Sequence, residues 1–156
     1  MPWRTHCLTD PDDRALALTE AVRVTRPGGV VVAVGISRFA SLLDGLKRRT
    51  LDDPTFRTIV ERDLRDGQHR NPHAEGRPEF FTTAYFHTPP ELENEARAAG
   101  LRDVRLLAVE GPAWILEDHD DLDNQLFAAR ATESEPTLVG ASSHLLVTGT
   151  KAAGPP

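Results

Sequence analysis

The stretch Val22-Arg23-Val24-Thr25-Arg26-Pro27-Gly28-Gly29-Val30-Val31-Val32-Ala33-Val34-Gly35-Ile36 reads as a helix end, a tight turn and a strand. Pro27 disfavours the α region for Arg26, and Gly28-Gly29 supplies the turn, so a helix ending near Thr25 feeds directly into Val30 to Ile36. The apolar run has no in-and-out alternation. Such a run belongs to a strand covered on both faces of a mostly parallel sheet, and it predicts an α/β fold.

Punctuation on either side supports helices around that strand. Asp10 is placed to cap a first helix, Pro11 sits at its first position, and Asp12 and Asp13 favour its positive end. Leu18, Ala21, Val22 and Thr25 share one face of it. After the strand, Phe39, Leu42, Leu43 and Leu46 mark a second helix. Asp53-Pro54 opens a third, with Phe56, Ile59, Val60 and Leu64 on one side and Gly67 as its stop. Residues 67 to 79 are rich in turn formers and read as a loop or mobile lid. Phe80 to Phe86 reads as a short strand or an irregular pocket wall. Thr88 and Glu91 form a capping box with Pro89 at the first helical position, and Gly100 ends that helix. Strands are expected near 104 to 109 and 144 to 150, with a helix near 120 to 132 carrying Leu122, Leu126 and Ala129 on one face. The expected organisation is a single domain over 1 to 150 and a disordered tail over 151 to 156.

The 156 residues carry a net charge of -6, with a pI near 5.5. That balance argues against a nucleic-acid surface, which needs concentrated Lys and Arg. The single cysteine, Cys7, excludes an internal disulfide framework and fits a reducing compartment. No apolar run reaches the roughly 18 residues of a membrane span, so the expected location is the cytoplasm and no membrane partner is expected.

The Arg-Pro-Gly-Gly turn and its strand resemble the second half of a class I S-adenosylmethionine-dependent methyltransferase. Two further segments extend the resemblance: Thr82 to Leu92 followed by Ala98-Ala99-Gly100-Leu101, and Ser143 to Thr150 at the end. The resemblance implies a partial Rossmann-like sheet with strands near 30 to 36, 104 to 109 and 144 to 150. The last strand would lie between the other two and run antiparallel to them. It also implies methyl transfer from S-adenosylmethionine to a small-molecule acceptor. The family cradles its cofactor with a glycine-rich loop and an acidic residue, both upstream of anything present here. No two glycines in the chain are separated by a single residue. By resemblance the chain begins after the family's fourth strand, about a hundred residues in at some thirty per βαβ unit. Trp3 to Leu8 stands where the family has a Gly-Pro-Leu-Tyr-His-Leu-like loop and matches it at Leu8. The expectation is therefore that this chain supplies the acceptor side of the site and binds the cofactor poorly alone. The competing expectation is a noncatalytic remnant or interaction module.

In open α/β sheets, ligands collect beyond the carboxyl ends of the strands. That rule brings Ser37 and Arg38 to the mouth of a site, either as substrate contacts or as a cap followed by a surface arginine. Gly35-Ile36-Ser37-Arg38-Phe39 begins like a hydrolase nucleophile elbow, but Phe39 stands where the turn needs a small residue. The aromatic segment Phe80 to His87 offers Phe81, Thr82 and Tyr85 as acceptor contacts or as a hydrophobic patch. His87 is the candidate general base, because imidazole titrates near working pH. His69, His73 and His87 match no zinc spacing, and Glu117 to Asp121 reads as a helix N-terminal acidic cluster, so no metal site is expected. Finally, a strand at 30 to 36 without its neighbour would leave a free edge, which predicts pairing with a second copy or aggregation.

Overall fold

The structure is a computed structural model that describes residues 8–81, 83–116 and 121–153. Among the described residues, five helices and five strands follow one another along the chain. Helix α1 (Pro11–Val24) is capped by the Asp10 side chain, which accepts from the Asp12 amide, and it packs Ala21 and Val22 on the core. Strand β1 (Val30–Ser37) follows the turn at Gly28, whose φ of 72° suits glycine. Helix α2 (Ala40–Arg48) leads to α3 (Pro54–Asp66), which Asp53 caps and Gly67 ends. Strands β2 (Gln68–Arg70) and β3 (Thr83–His87) precede α4 (Pro89–Ala98). The capping box of Thr88 and Glu91 opens α4. Strand β4 (Leu101–Ala108), helix α5 (Leu122–Thr132) and strand β5 (His144–Lys151) complete the chain.

The strands form one open sheet in the order β2-β3-β1-β5-β4. β5 lies between β1 and β4 and is antiparallel to both, from Val30 opposite Thr150 to Ile36 opposite His144. β3 runs parallel to β1 but pairs with it only at Ile36 with Phe86 and Ser37 with His87. The result is a partial Rossmann-like α/β arrangement with strands close to those expected at 30 to 36, 104 to 109 and 144 to 150.

One face of the sheet is closed by α1 and α4. Val31, Val104, Leu145 and Val147 pack there against Leu92 and Ala96. The other face is closed only toward the carboxyl end of β1, where α3 contributes Phe56, Ile59 and Val60. This half-cover corrects the reading of β1 as buried on both faces: Val30 and Val32 are 64% and 57% exposed. Their run of valines is apolar without alternation, yet these two side chains stay largely open to solvent.

Three other expectations change. Residues 68 to 70 are strand β2, paired antiparallel with β3, and His69 and Asn71 are buried, so this part of the expected lid is body. Helix α2 buries Ala40, Ser41 and Gly45, whereas Phe39 and Leu46 face outward, because the small residues let the helix approach α3 closely. Lys151 belongs to β5 and ties back to the turn, its ammonium donating to the Arg23 and Thr25 carbonyls. No helix among the described residues is long and apolar enough to cross a membrane.

Candidate functional site

Beyond the carboxyl ends of β1 and β3 lies a cavity of about 200 Å³. The cross-strand partners Ile36 and Phe86 form its wall on the sheet, and Ala40 and Ser41 bring α2 against it. Phe56 of α3, with Phe80 and Phe81 from the segment before β3, makes the lining largely aromatic. Trp114 closes another side, its indole N–H donating to the Ala141 carbonyl at 2.8 Å. Because β5 is antiparallel to β1, its first residues start at the end where β1 finishes. Ser143 and His144 are thereby brought into the cavity wall.

His144 has a carboxylate partner. Its Nδ1 lies 2.5 Å from Glu110 Oε1, just after β4. The other carboxylate oxygen accepts from Ser142 Oγ at 2.7 Å and from the His144 amide at 2.9 Å. Ser142 is itself fully buried and accepts from the Glu110 amide. Partial burial alone would raise the Glu110 carboxyl, but the bonds from the His144 ring, Ser142 and the His144 amide outweigh it and pull it down to about 2. The hydrogen bond to that carboxylate raises the His144 imidazole above its ordinary value, against the opposing effect of burial. With Nδ1–H held by Glu110, the neutral ring carries its lone pair on Nε2, for which no hydrogen-bond partner is seen among the described residues.

The residues singled out from sequence fall into two groups. Phe81 lines the cavity and holds a left-handed φ of 67°, a strained backbone for an aromatic residue. Thr82 lies outside the described residues. Arg38, Tyr85 and His87 gather instead in a polar network under α4, and Ser37 is buried beside it. Ser37 donates to the Gly140 carbonyl at 2.7 Å. Arg38 is buried, donating from Nε to the Phe86 carbonyl and from Nη2 to Glu91 at 2.7 Å. The Tyr85 ring sits under the Arg14 guanidinium at 3.8 Å, and Arg14 pairs with Glu95 at 2.9 Å. Glu95 also accepts from His87 Nε2 at 3.2 Å, and His87 is only 3% exposed, with Nδ1 facing Gly35 and without a partner among the described residues. Through Arg14, Glu91 and Glu95, the Arg38, Tyr85 and His87 side chains link α1, α4 and the ends of β1 and β3, and Ser37 ties β1 to the turn at 139–141.

His144 and Glu110 escaped sequence reasoning because they are 34 residues apart, on different strand ends. The available signal was topological: an antiparallel last strand must begin where ligands collect.

A third cluster has triad-like composition without triad geometry. Ser41 Oγ donates to Asp63 Oδ2 at 2.6 Å, and His69 Nδ1 lies 2.8 Å from the same oxygen. The hydroxyl thus meets the carboxylate rather than the ring, and His69 Nε2 is taken by the Phe80 carbonyl at 2.9 Å. This arrangement seats β2 on α3 and activates no nucleophile. Among the described residues, no three His, Cys, Asp or Glu side chains group as a metal ion requires.

The parallel strands β1 and β3 end in Ser37 and His87, neither of which is a carboxylate able to bind ribose hydroxyls. At about 200 Å³ the cavity is smaller than the roughly 300 Å³ at which drug-sized ligand pockets begin, a size for one small ring rather than a nucleoside. No known family model and no curated protein sequence matches the chain.

Proposed function

We propose that the chain provides the acceptor-binding half of an S-adenosylmethionine-dependent methyltransferase acting on a small organic molecule. The observation that carries this reading is the placement of antiparallel β5 between β1 and β4, the strand arrangement implied by the resemblance. The aromatic cavity beyond the end of β1 supports it, since small-molecule sites combine apolar walls with a few polar groups. Val30 to Gly35 have no strand partner on the β3 side among the described residues. The cofactor-binding elements would join the sheet there.

Calorimetry with S-adenosylmethionine and methyl-labelled NMR with small aromatic compounds test the division of labour. The expected outcome is no saturable low-micromolar cofactor binding, together with shifts of the Ile36 and Ala40 methyl signals by the aromatic probes. Tight cofactor binding by the chain alone would defeat the half-site assignment. A cavity that takes no small aromatic molecule would favour the second reading, a noncatalytic interaction module. The specific observation behind that alternative is the same free edge of β1 with its outward valines.

A further inference from the structure

We propose that Glu110 and His144 form a proton-accepting pair in the cavity wall, and that the ligand they serve is a phenol whose hydroxyl meets His144 Nε2. This rests on the cavity being an acceptor site. Three observations point to it. His144 lines the cavity, whereas Glu110, which holds its ring, lines a neighbouring one beside α5. Nδ1 is committed to Glu110 at 2.5 Å, which leaves the Nε2 lone pair as the ring's only acceptor. Five aromatic rings share the wall with it: Phe56, Phe80, Phe81, Phe86 and Trp114.

Size and charge narrow the ligand. A dry cavity of about 150 Å³ holds one benzene in another protein, so about 200 Å³ suits a single substituted ring. A carboxylate ligand is already ionised near neutral pH and has no proton to give a base, and the charges that line the cavity, Asp44 and Glu79 beside Arg48, are of both signs. A neutral aryl amine already has its lone pair and gains little from a base. A phenol enters neutral and becomes a better nucleophile only on losing its proton. In that step the phenol O–H bond breaks, an Nε2–H bond forms, and the electron pair stays on the phenolate oxygen. The imidazolium keeps its Nδ1–H on Glu110. Other titratable groups facing the same space are Asp44 and Arg48 from α2, His69 from β2 and Glu79 before β3.

4-Nitrophenol tests the pair in the intact chain, because only its ionised form absorbs visible light. About one pH unit below the phenol's own midpoint, the bound fraction should be coloured, and the Ile36 and Ala40 methyl signals should shift with the same titration. In His144→Gln and Glu110→Gln the methyl shifts should persist, while the ionised bound fraction falls about tenfold, the equivalent of one pKa unit. 4-Nitroanisole, which has no proton to lose, should bind wild type and both variants alike. Equal ionisation in wild type and His144→Gln would overturn the pair while leaving the acceptor cavity standing. No methyl shift with either compound in wild type would overturn the acceptor cavity, and the pair with it.

Discussion

Glu110 concentrates three hydrogen bonds on one carboxylate, and the consequence is a pH dependence with two edges. Its carboxyl falls from 4.5 to about 2 in the folded chain, so its contribution is present above 4.5 and is lost as pH drops toward 2. His144 is raised from 6.5, so its share is present below 6.5 and is lost as pH rises through the folded value. The stability difference between wild type and Glu110→Gln, measured by urea titration, should therefore be largest between 4.5 and 6.5 and shrink on both sides. A difference independent of pH would show that the carboxylate acts only by packing. Gly35 poses a different kind of constraint. A Cβ there would meet His87 Nδ1 at 2.9 Å and Leu92 Cδ2 at 3.2 Å. Both neighbours are buried, so Gly35→Ala should cost about 1–3 kcal/mol as an overpacked core substitution.

Among the elements, α3 and α5 differ in what holds them. Helix α3 buries Phe56, Ile59 and Val60, and Asp53 accepts from the Thr55 and Phe56 amides at its start. Asp53 also pairs with Arg77, fastening the segment before β3 to the helix. Replacing Asp53 with Ala should cost about 1 kcal/mol for the cap, readable as a lower unfolding midpoint. Helix α5 buries none of its residues: Leu122, Leu126 and Phe127 are all exposed, and its apolar side meets the neighbouring cavity instead of the core. Few buried contacts mean a low local opening energy. Hydrogen exchange should therefore be faster in α5 than in α4, whose Leu92 and Ala96 are buried. Equal protection in the two helices would mean that something covers α5 in solution.

At the scale of the molecule, the open edge of β1 is the least finished feature. Backbone groups from Val30 to Gly35 face no strand on the β3 side among the described residues, and Val30 and Val32 add apolar surface beside them. Such an edge is a template for another chain. Light scattering over a concentration series should show dimers or larger species. Because Val32 is exposed, Val32→Lys can blunt the edge without disturbing a core, shifting the protein toward monomer with a stability change within about 0.5 kcal/mol. A monodisperse wild-type monomer at every concentration would remove the edge as an interface.

What was legible in the residues alone was the local grammar. Asp10-Pro11, Asp53-Pro54, Gly67 and the Thr88 and Glu91 capping box mark their helices because caps and stops act within one turn of chain. Strands 30 to 36 and 144 to 150 were equally readable, since a continuous β-branched and apolar run has few other uses. Burial was not. Nothing in four valines and an alanine reveals that Val31 meets a helix while Val32 meets solvent, which depends on which face α1 and α4 cover. Nor could sequence decide between His87 and His144 as an available base. Each has a carboxylate neighbour, but one ring is closed in beneath α4 and the other is left at the cavity by the direction of β5. Propensity and capping are short-range and survive in a single sequence. The surroundings of a side chain are set by long-range packing, and only the tertiary structure decided them.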